Sequence, residues 1–192
     1  MVMDPEANET QLIIRAQDGD RNAFNDLVRM HARGVSAVVF RMCGNLQLAQ
    51  DAAQETFIRA WSHLGSFHAE DSLRNWLYRV ALNTATDMLR KEKRLLPGDL
   101  ADFHLADPLP GPEGSYLQKE RIALVQWAVL SLPEGSRAVL VLKEYEGLSY
   151  REIANTLDIP IGTVMSRLNY ARRLLKEALE RKMVASMEDE HV

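Results

Sequence analysis

The chain has almost no cysteine and no long apolar run. Its 192 residues include one cysteine, Cys43, which excludes an internal disulfide and suits a reducing compartment. No stretch of about 18 residues is both apolar and uncharged, so no membrane-spanning helix is expected. The first residues are acidic and lack the basic and apolar regions of a signal peptide. The sequence therefore predicts a cytoplasmic protein.

The chain has no net positive charge, because acidic residues outnumber basic ones, but its charge is unevenly distributed. The net charge is −4, yet segments 1–11, 95–115 and 186–192 together carry ten acidic residues and no basic ones, so the rest of the chain has a net charge of +6. The basic residues gather in two clusters, at Arg90, Lys91, Lys93 and Arg94, and at Arg167, Arg172, Arg173, Lys176, Arg181 and Lys182. Such clusters are typical of phosphate contact, although each alone also fits an ordinary solvated helix face.

Proline and glycine are concentrated in one segment. Residues 95–115 hold four of the seven prolines and three of the ten glycines, so no helix is expected to run through them. The flanking segments have helical periodicity, with no strand-like alternation and no repeat. The sequence predicts an all-α fold of two small helical domains, 10–94 and 116–183, joined by an acidic Pro/Gly-rich linker at 95–115.

Residues 148–175 predict a helix–turn–helix. Ser149 and Glu152 can form a capping box at the start of the first helix. Asp158 to Pro160 should end that helix, because the residue before a proline avoids helical angles. The second helix, from about Ile161, has an apolar stripe made of Val164, Leu168, Ala171 and Leu175.

The other side of this second helix is polar enough to read a DNA major groove. Its side chains can donate, accept or touch a methyl group, as base readout requires. The candidate contacts are Thr163, Met165, Ser166, Asn169, Tyr170 and Arg173, with Lys176 beside them. The free amides at the helix start, near Gly162 and Thr163, favour a phosphate. A capped amphipathic helix pair in an unrelated bundle would have the same spacing.

A helix predicted over about 48–64 carries a candidate protein-docking patch. Its outer side has Asp51, Gln54, Glu55 and Ile58. An exposed isoleucine among polar residues indicates a binding surface. One stray apolar residue on a solvated helix is also common.

A helix predicted over about 72–93 combines amide, guanidinium and aromatic side chains, as proteins that bind single strands do. Its outer face has Asn75, Arg79, Leu82, Thr86 and Arg90, with Asn83 alongside, and Phe67, Trp76 and Tyr78 lie near its start. The alternative is that Phe67 and Trp76 belong to the core, which is favoured for Trp76.

Several motifs occur together in a recognisable order. They are Asp51–Trp61, Phe67, Trp76–Asn83 and Arg90–Arg94 in the first predicted domain, and Leu132–Pro133, Glu144–Ser149, Glu152–Ala154 and Gly162–Arg167 in the second. On these motifs, over about 170 residues, the chain resembles the extracytoplasmic-function sigma factors, a two-domain class of the sigma-70 family.

The resemblance implies a promoter-specificity subunit of bacterial RNA polymerase. Asp51, Gln54, Glu55 and Ile58 would bind core RNA polymerase. The unwound minus-ten element of promoter DNA would be held by Phe67, Arg79, Asn83, Thr86, Arg90, Lys91, Lys93 and Arg94, with Asn83 and the loop after Phe67 holding a flipped base. The minus-thirty-five element would be read by Thr163, Met165, Ser166, Asn169, Tyr170 and Arg173.

The resemblance also implies how the chain is regulated. An anti-sigma factor, often bound to the membrane in this family, would cover both domains, and the linker would thread toward the polymerase active-site cleft. No cofactor, metal, small-molecule substrate or enzyme activity is expected.

The sequence departs from the family at two positions of the second reading helix. Residues 165 and 170 are commonly basic in the family, whereas this chain has Met165 and Tyr170. An arginine can read guanine through two hydrogen bonds, and neither methionine nor tyrosine can. An unusual upstream hexamer is therefore expected.

Three other function classes remain open from the residues alone. A free-standing helix–turn–helix regulator would use the same reading helix but would leave the Ile58 patch unexplained. An enzyme has little support, because no paired nucleophile and base is apparent, and His63 and His68 lack metal-ligand spacing on a helix. A helical adaptor would need none of the basic residues.

Overall fold

The computed structural model describes residues 5–68, 72–95 and 116–189 of the chain. Within those ranges it is helical and contains no strand, which confirms the predicted all-α class. The N-terminal helices are α1 (Pro5–Gln17), α2 (Arg21–Cys43), α3 (Leu46–His63) and α4 (Leu73–Leu95). The C-terminal helices are α5 (Tyr116–Leu130), α6 (Glu134–Leu140), α7 (Tyr150–Leu157) and α8 (Ile161–Asp189). A 3-10 turn covers Leu64–Ser66, and a π-helical turn covers Val141–Tyr145.

The predicted linker lies almost entirely outside the described residues. Leu95 is the exception, because it ends α4. At the other end of the chain, α8 continues to Asp189, beyond the predicted limit at residue 183. None of the helices in the described ranges is long and apolar enough to cross a bilayer.

Local capping fixes the ends of the N-terminal helices. The Asp20 carboxylate accepts hydrogen bonds from the backbone N–H groups of Asn22 and Ala23, which begins α2. Gly44 ends the same helix in the left-handed conformation, with φ of 71°, where glycine is favoured. Asn45 then caps α3 by accepting from the backbone N–H of Leu48. The chain can therefore turn sharply between α2 and α3.

The N-terminal helices share a core centred on α2. Apolar residues of α2 recur at helical spacing and are almost fully buried, among them Val35, Val38, Val39 and Met42. Helices α1, α3 and α4 all pack on α2, and small residues such as Ala52, Ala60 and Ala81 allow close approach. Four helices are thus held in a fixed arrangement, which positions the outer faces of α3 and α4.

The predicted helix–turn–helix is confirmed as α7, a tight turn and α8. Ser149 and Glu152 form the capping box, and these hydrogen bonds lower the pKa of the Glu152 carboxyl. The predicted reason for the end of α7 was incomplete. Asp158 adopts a left-handed conformation, with φ of 53°, and its N–H bonds back to Ala154 and Asn155, so the turn is a left-handed cap in addition to a pre-proline break.

The two groups of helices pack directly against each other. Buried residues of α2 and α4 and buried residues of α5, α6 and α8 belong to one continuous apolar cluster. Gly44 lies so close to Leu130 that a Cβ atom added at Gly44 would clash with the Leu130 side chain. No pattern in the sequence predicts this contact between the two predicted domains.

Candidate nucleic-acid and protein interfaces

The first candidate interface is the outer side of α3. Asp51, Gln54 and Ile58 are exposed there, and 53% of Ile58 is accessible to solvent. Glu55 is half-buried and pairs with Arg59 at 2.8 Å, and the hydrogen bonds that Arg59 makes to Glu55 and Asp87 raise its pKa. We call Asp51, Gln54, Glu55 and Ile58 the α3 face.

Ile58 is not isolated, because it borders a groove between α2 and α3. The groove has a volume of about 540 Å³ and is lined by Phe24, Val28, Phe57 and Trp61 beside Ile58. The Phe24 and Trp61 rings pack with their centroids 4.9 Å apart. Sequence reasoning missed the α2 side of this groove, because periodicity within one helix cannot show which neighbouring helix extends its surface.

The second candidate interface lies along α4 and comprises Arg79, Asn83, Thr86, Arg90 and Lys93, which we call the α4 face. Asn83 is exposed, Thr86 is half-buried, and the three basic side chains are exposed. Lys91 and Arg94 are also exposed, at the end of the same helix. Leu82, predicted on the outer side of α4, is buried instead, since the C-terminal helices cover that side.

Phe67 is not placed for base contact. Only 6% of Phe67 is exposed, and its ring packs on Trp76 with the centroids 5.3 Å apart. Its carbonyl accepts a hydrogen bond of 2.8 Å from the Gln17 amide. The ring therefore belongs to the core, which was the alternative considered for it. The loop residues 69–71 lie outside the described residues.

The third candidate interface is the solvent side of α8. Met165, Ser166, Asn169, Tyr170 and Arg173 are all exposed, and Thr163 is half-buried; we call these six residues the α8 face. Val164, Leu168 and Ala171 are buried on the opposite side, as the apolar stripe predicts.

Local contacts orient several side chains of the α8 face. The Arg173 guanidinium lies over the Tyr170 ring at 5.2 Å, and the Ser166 hydroxyl donates to the Thr163 carbonyl at 3.1 Å. Arg172, from the same basic cluster, pairs with Glu144 at 2.7 Å, and that hydrogen bond raises the Arg172 pKa. Arg173 has a longer ion-pair contact, 4.0 Å to Glu177 of its own helix, and is therefore the better candidate of the two arginines for contact with DNA.

Carboxylates of the C-terminal helices reach the α4 face. Arg79 pairs with Asp158 at 3.2 Å, while Arg90 and Lys93 both pair with Glu134, at 3.2 and 3.3 Å. Between these pairs is an open cleft of about 740 Å³, lined by Asn83 and Thr86 among others. These carboxylates are more than forty residues from their partners, so no local sequence signal could have identified them.

Two buried polar contacts hold the groups of helices together. The Tyr78 hydroxyl donates to Glu146 at 2.6 Å, and Arg41 contacts the other oxygen of Glu146 at 3.5 Å. Arg137 is buried and donates to the carbonyls of Met42, Leu130 and Leu132, and its burial lowers its pKa. Sequence analysis did not identify any of these contacts.

Comparison with known proteins identifies the family. The model of Sigma-70 region 2 matches residues 27–95, and that of Sigma-70 region 4 matches residues 123–175. The chain is 38% identical to the RNA polymerase sigma-H factor of Pseudomonas aeruginosa, covering 90% of this chain and 94% of that protein. It is 34% identical to the ECF RNA polymerase sigma-E factor of Haemophilus influenzae, covering 93% of this chain and 98% of that protein.

A solved structure agrees with these matches. The sigma factor RpoE of Bartonella quintana, in complex with the anti-sigma factor NepR, superposes with a TM-score of 0.68 at 25% identity. The match covers 82% of this chain and 96% of the RpoE chain. The chain belongs to the sigma-70 family of RNA polymerase sigma factors, in the extracytoplasmic-function class, which confirms the resemblance read from its motifs. It is therefore a promoter-specificity subunit.

Proposed function

We propose that this sigma factor uses each of the three faces defined above for a different interaction. We propose domains at residues 10–94 and 116–183. The observation that supports the proposal is that one chain exposes an apolar-centred patch on α3, a basic and amide-bearing face on α4, and a face of mixed polar and apolar side chains on α8. A free-standing regulator would need only the α8 face.

The α3 face is proposed to bind core RNA polymerase. Ile58 is exposed at the edge of an apolar groove, and Asp51, Gln54 and Glu55 surround it with polar groups. An apolar centre with a polar rim is the usual composition of a protein–protein interface. The groove residues Phe24, Val28 and Trp61 would extend the contact onto α2.

The α4 face is proposed to hold the unwound minus-ten strand. Arg79, Arg90 and Lys93 would contact phosphates, with Lys91 and Arg94 beyond them. Asn83 is exposed and has an amide that can both donate and accept, so it suits the edge of an extruded base. Promoter melting would use the binding energy of exposed bases, without a covalent step or a bound cofactor.

The α8 face is proposed to read the minus-thirty-five element in the major groove. Ser166, Asn169 and Arg173 can form hydrogen bonds with base edges or phosphates, and Met165 and Tyr170 offer apolar surface to a thymine methyl. Neither Met165 nor Tyr170 can make the two hydrogen bonds by which an arginine reads guanine. The preferred hexamer should therefore differ from one that is read by arginines.

An anti-sigma factor is proposed as the controlling partner. The similar RpoE was solved with the anti-sigma factor NepR. An anti-sigma factor that covered the α3 and α4 faces would block polymerase and DNA together. The proposed site of action is the cytoplasm.

The proposal can be tested by transcription of a genomic DNA library with purified core RNA polymerase, with and without this protein. New start sites that share two upstream elements would support it. Unchanged start sites, with specific retention of duplex fragments by the protein alone, would instead indicate a free-standing regulator.

A further inference from the structure

We propose that the groove between α2 and α5 binds a free small amphiphile, which has an apolar chain and an anionic head, as a long-chain carboxylate does. The groove has a volume of about 450 Å³, which is within the usual range for a small-molecule site. None of its lining residues belongs to the α3, α4 or α8 face, so the inference is independent of the function proposed above.

The floor of the groove is apolar. Phe40 of α2 lines it together with Val129 and Leu130 of α5, and all three side chains are buried. Gly44 also lines the groove, where it lies against the Leu130 side chain. Such a floor favours a hydrocarbon chain, because a polar ligand group placed there would lose its hydrogen bonds to water.

One face of α5 forms a wall of the groove. Residues 118, 122, 125 and 129 recur at intervals of three or four, which places them on the same side of the helix, and all of them line the groove. Ile122 is 44% exposed and Val125 is 38% exposed. A ligand that covered this wall would therefore gain the free energy of removing apolar surface from water.

The anionic head is inferred from two arginines that line the same groove. Arg41 of α2 lies over the Tyr145 ring at 4.3 Å and contacts Glu146 at 3.5 Å. Arg121 of α5 is exposed, and within the described parts of the chain it forms no ion pair. A guanidinium without an anionic partner, beside an apolar groove, suits a carboxylate or phosphate attached to an apolar chain.

The geometry of α5 indicates how the ligand lies. Arg121 precedes Leu130 by nine residues, which corresponds to about 13 Å along the helix at about 1.5 Å per residue. A chain that lay along α5 would have its apolar end near Leu130 and its head near Arg121. The amide of Gln118, about one turn before Arg121 and on the same side, would be a second donor to the head.

The size of the groove favours a small ligand over a partner protein. Eleven described residues line the groove. A stable protein–protein interface uses about 20–30 residues on each side. The groove is therefore too small to be a complete protein interface, whereas it is large enough to cover most of one small amphiphile.

The test uses two matched pairs of variants in the full chain. Ile122→Asp places a carboxylate in the apolar wall, and Ile14→Asp makes the same change at an isoleucine of α1 that is 43% exposed. Arg121→Gln removes the cation that would meet the head, and Arg33→Gln removes an exposed cation of α2 that does not line the groove. Circular dichroism establishes that each variant is folded.

The first measurement is isothermal titration calorimetry with dodecanoate below the concentration at which it forms micelles. The wild-type chain should bind one equivalent saturably. Ile122→Asp should weaken binding about tenfold or more, because it removes apolar contact and adds a like charge. Arg121→Gln should weaken binding about threefold, since the lost ion pair is exposed. The two control variants should bind dodecanoate as the wild-type chain does.

The second measurement is the midpoint of thermal unfolding as dodecanoate is added. The groove is built by α2 and α5, which come from different groups of helices, so its ligand should bind the folded chain alone. The midpoint should therefore rise with ligand concentration in the wild-type chain and in Ile14→Asp. It should rise much less in Ile122→Asp.

Three outcomes would overturn the proposal. The first is a lack of saturable binding by the wild-type chain, and the second is equal affinity of Ile122→Asp and Ile14→Asp for dodecanoate. The third is association of the wild-type chain with phosphatidylglycerol vesicles without binding of dodecanoate in solution, because the chain would then recognise a membrane and not a free amphiphile. None of these outcomes alters transcription with core RNA polymerase, which tests the proposed function separately.

Discussion

The hydroxyl of Tyr78 in α4 donates a hydrogen bond of 2.6 Å to the carboxylate of Glu146, 68 residues later in the chain. Both groups are largely shielded from water, and Arg41 contacts the same carboxylate. Burial, together with the neighbouring Glu146 charge, raises the pKa of Tyr78. The phenol therefore remains a donor throughout the physiological pH range, and it links the helix that carries the α4 face to the second group of helices.

Tyr78→Phe should destabilise the chain by about 1–3 kcal/mol, because Glu146 would lose a partner that water cannot readily replace. The measurement is the free energy of unfolding from urea titration. Tyr170→Phe is the matched control, since Tyr170 is exposed on α8, and it should change that free energy by less than about 0.5 kcal/mol. Equal effects of the two variants would contradict the structural role assigned to the Tyr78 hydroxyl.

Cys43 should resist alkylation in the folded protein. Burial raises its pKa to about 12 from an ordinary value of 9.0, although the nearby charge of Arg137 opposes the shift. This shift lowers the thiolate population at pH 8 by about 10³-fold. The thiolate is the reactive form of cysteine, and burial also restricts the access of reagents to it. Iodoacetamide should therefore modify Cys43 rapidly in urea and very slowly in buffer. Comparable rates of modification in urea and in buffer would contradict the predicted protection of Cys43.

The same shift predicts how Cys43 links stability to pH. The folded-state pKa is above the unfolded value, so the contribution of the neutral thiol is fully present below pH 9. It is lost as the pH rises from 9 toward 12. Cys43→Ser removes the titrating thiol, so the free energy of unfolding of this variant should fall less between pH 9 and pH 12.

Local determinants made much of this fold predictable. The starts of α2 and α7 depend on Asp20 and Ser149, each of which acts within three residues, and the buried stripe of α8 follows from helical spacing alone. The exposure of Ile58 was predictable for the same reason.

Contacts between distant segments were not predictable from these signals. Leu82 fits the outer side of α4 by periodicity, but the C-terminal helices cover that side, so Leu82 is buried. Phe67 resembles a stacking residue by type, yet its ring fills the core beside Trp76. Glu134, Glu146 and Asp158 look like ordinary surface acids in the sequence, because their roles depend on a packing arrangement that no local pattern encodes.

Ile58→Asp should weaken the binding of core RNA polymerase while leaving the fold intact. Ile58 is 53% exposed, so its replacement creates no core cavity, but a charge at the centre of an apolar-centred interface would have to be desolvated. The measurement is co-elution with core enzyme on size-exclusion chromatography. Ile14→Asp makes the same change at an isoleucine of α1 that is 43% exposed, and it should co-elute normally. If both variants co-elute like the wild-type protein, the α3 face is not the polymerase interface.

Asn83→Ala should reduce open-complex formation more than closed-complex binding. The Asn83 amide is exposed on the α4 face, and its proposed partner is an extruded base that exists only after melting. Loss of that contact should lower the open fraction about fivefold or more, which corresponds to a hydrogen bond of about 1 kcal/mol. Permanganate footprinting reports the open complex, and a mobility shift on ice reports the closed one. Equal losses at both steps would place Asn83 in duplex binding instead.

Met165→Arg should shift the preferred upstream hexamer toward guanine. Met165 is 49% exposed on the α8 face, beside Ser166 and Asn169, so an arginine there could reach the major groove without displacing a core residue. An arginine paired with the guanine O6 and N7 atoms favours that base by about 1–3 kcal/mol, which is a preference of about fivefold or more. The measurement is transcription from a promoter library randomised across the upstream element.

Met30→Arg adds the same charge at a methionine of α2 that is 47% exposed, and it should leave the preferred hexamer unchanged. A preference that stays the same in both variants would exclude residue 165 from base readout, whereas a uniform gain across all sequences would mean that the new arginine contacts phosphate alone.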